Sequence, residues 1–356
     1  MKILIACGGT GGHIFPGLSL AQELNSRGAG DVLLVGTDHP LERKLFGSFG
    51  LPYRLLPAAK LARDPAGFVR FLGKFISAAA GSAKLLSEFK PDVIVGFGGY
   101  ASFPACILGA MAGKRLYLHE QNREAGLANR MLAVFAKRVG VSFSDTGKVF
   151  GKKAAFTGNP IRANLLSAGR EDALKYYKLD PGRFTVLILG GSQGSQKINM
   201  IVGGMLDLLS AEEAAALNII HIAGMKNYND VHGKYEGRKM SGCVCDFVDD
   251  IGSAYAAADL IVSRAGATAL FEIAALGIPS IMIPYRFAGG HQYKNAAALE
   301  DAGGAVVMEE TGLTPQMLKE RIFALKDDKA GLKAMSEAAK RFAVPDAAKR
   351  LADAIS

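Results

Sequence analysis

Tryptophan is absent from the 356 residues, and cysteine occurs four times. Cys7, Cys106, Cys243 and Cys245 are too few for a disulfide framework and fit a reducing compartment. Cys243 and Cys245 alternate with apolar residues in an expected strand, so one shared buried face is the expectation rather than a metal site. No apolar run approaches the ~20 residues of a spanning helix. No signal-peptide pattern precedes the apolar residues 3–7. No two aspartates stand two apart, which removes the Asp-x-Asp pair that grips a metal in many sugar-nucleotide enzymes. Acidic residues are the minority, 33 against 42 lysines and arginines, for a net charge of +9. That balance points to an anionic partner: phosphorylated substrate, anionic lipid or nucleic acid. No aromatic-interleaved basic stretch is present, so nucleic acid rests on net charge alone and is not expected as a partner.

The chain does have enough apolar material for large cores. Hydrophobic residues are 49% and charged residues 21%, as in a globular protein long enough for two domains. Short apolar runs at 2–7, 31–36, 92–97, 115–118 and 138–142 fill the first half. Runs at 184–189, 218–223, 242–247, 259–262, 280–283 and 305–308 fill the second. Helical stretches separate nearly all of them. Such alternation predicts an α/β protein, two doubly wound Rossmann-like domains facing across a cleft. Ligands of such sheets bind beyond the carboxyl ends of the strands. The stretch 156–160, Phe-Thr-Gly-Asn-Pro, reads as a linker, which places the domains at 1–159 and 160–341.

Each half opens on a strand running into a glycine-rich turn: Gly8-Gly9-Thr10-Gly11-Gly12-His13, and Gly190-Gly191-Ser192-Gln193-Gly194-Ser195. Ile14 stands where a dinucleotide fingerprint needs its third glycine, which weakens a nicotinamide reading. The glycines still permit close backbone approach to a phosphate. A helix expected from near Pro16 would aim its dipole at an anion. His13 at the lip of the turn reads equally as structural or catalytic. Gly96-Phe97-Gly98-Gly99-Tyr100 repeats the strand-to-turn pattern, and His119-Glu120-Gln121-Asn122 follows another strand. Four polar residues there need a site, solvent or a structural network.

The stretch 263–295 is the most organised. A strand leads through Ser263-Arg264-Ala265-Gly266 into a helix 267–276, closed by Gly277 with Pro279 beyond. A second strand and Gly290-His291-Gln292 follow. Free N–H groups at that helix start suit phosphate oxygens. Glu272 is acceptor-only and suited to a diol such as ribose, although local pattern alone favours a solvated helix residue.

These segments, in this order, resemble the MurG family of GT-B-fold glycosyltransferases. The family transfers N-acetylglucosamine from UDP-N-acetylglucosamine to undecaprenyl-linked lipid I in peptidoglycan synthesis. The resemblance runs from Gly8 to about Gly304. It implies an inverting, single-displacement transfer to the 4-hydroxyl of N-acetylmuramic acid, with no cofactor and no metal. It makes His13 the leading general base, with Glu120 supporting the acceptor side. It assigns Thr10, Gly11, Gly12, Asn122, Arg162, Ser192, Gln193, Val248, Ala267, Thr268, Glu272, His291 and Gln292 to the donor. Gly9, Gly98, Gly99 and Tyr100 fall to the acceptor. Arg162 would bring a fork of donors to the diphosphate, and the Val248 backbone would read uracil. The last helix, 342–356, would return to the first domain. The sequence departs from the family at Ala269, commonly threonine, and at Gly289-Gly290, commonly acidic or amide. Rivals are a UDP-N-acetylglucosamine 2-epimerase in the same fold and a non-catalytic sugar-nucleotide-binding subunit.

Phe68, Phe71, Leu72, Phe75 and Ile76 fall on one helical face among Lys60, Arg63, Arg70, Lys74 and Lys84. Two readings stand: a core-facing helix with a solvated basic side, or an interfacial helix meeting anionic headgroups. The family resemblance implies a peripheral contact at the cytoplasmic membrane face through Phe68, Phe71 and Phe75, and contacts with other cell-wall or division proteins.

Overall fold

The structure is a computed structural model describing residues 1–58, 64–191, 194–238, 240–286 and 290–355. The chain divides into two compact units, Met1–Arg162 with Val344–Ser356, and Ala163–Ala343.

Among the described residues, the first unit holds a seven-stranded parallel sheet in the order β3-β2-β1-β4-β5-β6-β7. Its strands are β1 (Lys2–Ala6), β2 (Asp31–Thr37), β3 (Tyr53–Leu56), β4 (Val93–Gly96), β5 (Arg115–Glu120), β6 (Arg138–Val141) and β7 (Ala154–Phe156). Two of these were not visible in the sequence. β3 is a four-residue edge strand with one exposed and three half-buried residues, and lacks the continuous apolar run of its neighbours. β7 is three residues long and lies mostly before the expected linker, meeting it only at Phe156.

The helices that position the site are α1 (Gly11–Ser26), α2 (Pro40–Ser48), α3 (Pro65–Phe89), α4 (Gly99–Met111) and α5 (Leu127–Leu132). α1 begins at Gly11 rather than near Pro16, so Gly11, Gly12 and His13 form its first turn. α3 starts where Asp64 accepts the Gly67 N–H at 2.7 Å and Pro65 follows, a capped start with a preset φ. It ends at Lys90 in the left-handed region, just before Pro91. The C-terminal helix Ala347–Ile355 packs Leu351, Ala352 and Ile355 into the core that α1 and β1 build. Arg27 of α1 reaches Asp353 at 2.5 Å.

The second unit holds, among the described residues, a six-stranded parallel sheet in the order β10-β9-β8-β11-β12-β13. Its strands are β8 (Phe184–Leu189), β9 (Leu217–Ile222), β10 (Ser241–Cys245), β11 (Leu260–Ser263), β12 (Ser280–Met282) and β13 (Ala305–Val307). All six coincide with apolar runs in the sequence. Cys243 and Cys245 lie on edge strand β10 and are half-buried, not buried as the alternation predicts, because an edge strand has a neighbour on one side only.

Strand order fixes where ligands go. In each sheet the direction of winding reverses once, between β1 and β4 in the first and between β8 and β11 in the second. The loops leaving those strands diverge and open a crevice at their carboxyl ends. Every glycine-rich turn singled out in the sequence leaves one of these strands.

Candidate active site

At the β1/β4 switch of the first unit, the loop after β1 is held from below by Glu42 of α2. Glu42 is 2% exposed. Its Oε1 accepts the Gly9 N–H at 2.7 Å and the Thr37 hydroxyl at 2.6 Å, and its Oε2 accepts the Thr37 N–H at 2.6 Å. The Gly9 N–H therefore faces the fold interior. Gly9 serves the loop through its φ of +91° and through close packing under the Tyr100 ring, not by donating this N–H to an acceptor phosphate.

His13 stands half-buried on the first turn of α1. Its Nδ1 lies 3.3 Å from the Thr10 hydroxyl. The ring packs over Gly99, where a Cβ would stand 3.0 Å from it, and Gly98 and Gly99 both have positive φ. Only glycine leaves that space and tolerates that backbone. Burial holds the imidazole below its ordinary pKa, against the opposing pull of Glu120, the Gly8 carbonyl and Glu42. Burial, followed by Glu42, pushes the Tyr100 phenol up.

Glu120 ends β5 and is 2% exposed. Its Oε1 accepts the Asn122 N–H at 3.0 Å and the Asn122 side-chain amide at 3.3 Å. Its Oε2 accepts the Gly126 N–H at 2.9 Å and the Asn129 amide at 2.8 Å. Four donors converge on one carboxylate, which shapes the loop carrying Asn122. His119 and Gln121 belong to a structural network. His119 Nε2 pairs with the Gly158 carbonyl at 2.9 Å, and Gln121 Nε2 lies 3.2 Å from Nδ1 and donates to the Phe97 carbonyl at 3.0 Å. Burial takes His119 down to about 4, so it is neutral at physiological pH. Arg162 falls in the first unit, its guanidinium 4.1 Å from the centroid of Phe15 on α1.

At the β8/β11 switch of the second unit, Ser195 caps the helix Gln196–Asp207. Gly191 and Gly194 take positive φ, and a Cβ on Gly194 would meet the Ala223 carbonyl at 2.2 Å. Ser192 and Gln193 lie outside the described residues. Arg264, 9% exposed, leaves β11 and spans three strand ends. It donates to Ser195 Oγ at 2.7 Å, to the Ile283 carbonyl at 3.1 Å and to Glu310 beyond β13. Its guanidinium also lies 5.3 Å from the Tyr285 ring centroid.

Helix Ala267–Leu276 follows, with Ala267 and Thr268 buried in its first turn and Gly277 closing it at φ +65°. Glu272 is 1% exposed, which excludes the solvated reading that its local pattern favours. The helix carries apolar residues nearly all round and is buried over most of its surface, with Ala269, Ala275 and Leu276 half-buried. The Tyr255 hydroxyl lies 3.4 Å from Glu272 Oε2. His291 and Gln292 open the helix His291–Asp301, and Gln292 Oε1 accepts the Tyr285 N–H at 2.8 Å. Gly290 caps that helix at φ +78°, and Gly289 lies outside the described residues. Val248 is half-buried in the loop after β10. No group of three or more His, Cys, Asp or Glu able to hold a metal occurs among the described residues.

The glycosyltransferase family 28 N-terminal domain matches residues 3–141 and the family 28 C-terminal domain matches residues 185–351. A Geobacter metallireducens protein named UDP-N-acetylglucosamine--N-acetylmuramyl-(pentapeptide) pyrophosphoryl-undecaprenol N-acetylglucosamine transferase is 39% identical, over 99% of this chain and 97% of its own. The chain belongs to the MurG family of glycosyltransferases. The crystal structure of Acinetobacter baumannii MurG agrees, at TM-score 0.75 and 27% identity over 99% of this chain and 98% of that one. A Neisseria meningitidis UDP-GlcNAc 2-epimerase bound to UDP-GlcNAc matches at TM-score 0.72 with 13% identity, over 99% of each chain. That likeness is one of fold, shared across GT-B proteins, and does not favour the epimerase.

Sequence reading missed Glu42, Asn129 and Glu310, and gave Arg264 no role. Glu42 follows Pro40 in a polar helix start and looks like any solvated carboxylate in a first turn. Glu310 sits in a polar loop after a short strand. Neither carries a local signal, because each is defined by partners far along the chain.

Proposed function

We propose that this enzyme transfers N-acetylglucosamine from UDP-N-acetylglucosamine to the 4-hydroxyl of the N-acetylmuramoyl-pentapeptide of lipid I, giving lipid II and UDP. The full-length match to a relative named for this transfer carries the reading. In the proposed step the acceptor oxygen forms its bond to the anomeric carbon as the bond to the UDP oxygen breaks, inverting that carbon. The neutral His13 imidazole takes the hydroxyl proton. Glu120, with its oxygens already engaged by four donors, orients the Asn122 loop instead of abstracting the proton. Departing UDP is held by helix N-termini in the second unit. Incubation with labelled UDP-N-acetylglucosamine and a short-chain lipid I analogue tests this. UDP release that depends on acceptor supports it; sugar epimerisation without acceptor overturns it.

Glu272 is proposed to accept the ribose hydroxyls from a buried position. Glu272→Ala should weaken donor use by about 1.5–3 kcal/mol, roughly 10- to 150-fold, with little effect on acceptor KM. It should also blunt discrimination against a 2′-deoxyribose donor. An unchanged donor KM with discrimination intact removes Glu272 from this role.

Membrane contact is proposed for the exposed edge of the apolar face of α3, Val69, Leu72 and Ile76, and not for Phe71 and Phe75. Phe71 and Phe75 are half-buried with rings 5.9 Å apart, and Phe75 packs 6.5 Å from Phe103 of α4. The side chain of Phe68, and Lys60 and Arg63, lie outside the described part of the chain. Val69, Leu72 and Ile76 are exposed, at 69%, 45% and 61%, beside exposed Arg70. Helical periodicity could not rank the two edges of this face, since both are apolar. No helix among the described residues is long and apolar enough to cross a membrane. Changing Val69, Leu72 and Ile76 together to serine should reduce binding to anionic vesicles with little change in melting temperature. Changing Phe71 and Phe75 to serine should lower the melting temperature instead. The reverse pattern rejects this assignment.

A further inference from the structure

Behind the glycine-rich loop of the second unit, buried polar side chains that the transfer does not use meet in one continuous chain of hydrogen bonds. His221 of β9 and Asn199 of the helix Gln196–Asp207 are 0% and 6% exposed. His221 Nδ1 lies 3.0 Å from the hydroxyl of Tyr235, the last residue of the helix Tyr228–Tyr235. His221 Nε2 lies 3.0 Å from Asn199 Oδ1, and Asn199 Nδ2 donates to the Ala223 carbonyl at 2.9 Å.

The polarity of this chain is fixed from one end. A carbonyl only accepts, so the Asn199 amide turns its nitrogen to Ala223 and its oxygen to His221. That oxygen also only accepts, so Nε2 carries a proton. Burial takes the imidazole down to about 3, so the ring is neutral at physiological pH and holds that one proton. Nδ1 is therefore bare and accepts the Tyr235 O–H. Burial pushes the Tyr235 phenol up, which keeps its proton in place.

The far end of the chain is the atom on which the loop rests. Gly194 has a φ of +74°, and a Cβ on it would stand 2.2 Å from the same Ala223 oxygen. The hydrogen in that place points at the oxygen, in a contact that only glycine permits. Gly194 donates its N–H to the Gly191 carbonyl at 3.0 Å, and Ser195 follows as the cap of the helix that carries Asn199. From the other side Arg264 holds Ser195 Oγ at 2.7 Å.

Given the reading of residues 190–195 as the donor's diphosphate site, we propose that Tyr235, His221 and Asn199 are positioning residues for the diphosphate, fixing the Ala223 carbonyl and through it the backbone of Gly194. Their polar atoms engage one another, so they act on the donor through the loop and not by touching it. Backbone held in this way needs no ordering when the anion arrives, and less of the phosphates' binding energy is lost.

Calorimetry with UDP and with uridine, which lacks the phosphates, tests the assignment. His221→Leu breaks the chain at its centre and should weaken UDP roughly 10-fold, with uridine changed by less than about 2-fold. His221→Gln can bring its amide nitrogen near the place of Nε2 and donate to Asn199 again, so most of the UDP affinity should return. Asn199→Leu should match His221→Leu, and the two combined should lose little more than either alone, as members of one network. Donor KM should rise in each while acceptor KM holds. In the unaltered protein, nitrogen-15 NMR of the histidine rings, with His221 identified by its loss in His221→Gln, should find its proton on Nε2 alone. A proton on Nδ1, or exchange between the two nitrogens, overturns the proposal whether or not the leucine variants fold. So does an equal loss for UDP and uridine, an unchanged UDP affinity in either folded leucine variant, or a His221→Gln as impaired as His221→Leu. UDP bound no more tightly than uridine by the unaltered protein would instead sink the diphosphate reading of the loop, a failure visible before any variant is made.

Discussion

His13→Ala is expected to lower kcat by roughly 10²–10⁴-fold while UDP affinity stays near normal. The two effects separate because His13 stands on the first unit, at the β1/β4 switch, whereas the proposed UDP ligands are mostly on the second. The sign of the pH dependence follows from burial. His13 is held below the ordinary histidine value of ~6.5, so it remains a neutral base into mildly acidic solution. Activity should be retained as pH falls through ~6.5 and be lost at lower pH, when the ring protonates. In His13→Ala that limb should disappear. Calorimetry with UDP and a rate profile on the same preparation check both halves. A folded variant with normal kcat and an unchanged acid limb would move the base elsewhere in the first unit.

Arg264→Met is expected to have the largest effect on stability. Arg264 and Glu310 keep side-chain exposures of only 10% and 12%, and Ser195 Oγ and the Ile283 carbonyl depend on the same guanidinium. Methionine fills much of the volume and strands the carboxylate. Breaking one side of a buried pair typically costs about 3–5 kcal/mol. For a unit of this size that lowers the melting temperature by roughly 6–20 °C. Adding Glu310→Leu should recover a large part of the loss, because removing both charges leaves neither one buried alone. UDP affinity should weaken in both variants, since Ser195 caps the helix at the β8/β11 switch. An unaltered melting temperature in Arg264→Met would show that the pair contributes nothing to this unit.

Legibility in the sequence followed the range of the interactions. Helix Ala267–Leu276, its Gly277 stop and the strand before it were readable because caps, turns and apolar runs act over a few residues. The same holds for β8 and the glycine turn that leaves it. β3 and β7 were not readable: a short strand at or near a sheet edge has little apolar contrast, and its pairing partner supplies what its own residues do not. For the same reason Phe71 and Ile76 could not be told apart by periodicity. Only the tertiary packing of α3 half-buries the first and leaves the second in solvent.

The sequence by itself determined the two α/β halves, the glycine-rich turns and, through resemblance, the chemistry to be expected of them. These depend on local conformational preference and on the order of motifs, both written along the chain. Tertiary structure alone decided that Glu272 is buried, that Glu42 lies beneath the loop carrying His13, and that Arg264 joins Ser195, Ile283 and Glu310. A carboxylate or guanidinium has the same local propensities on a surface as in an interior. What gives it a role is which donors and acceptors the crossover connections bring to it, from residues tens of positions away, once water has been excluded.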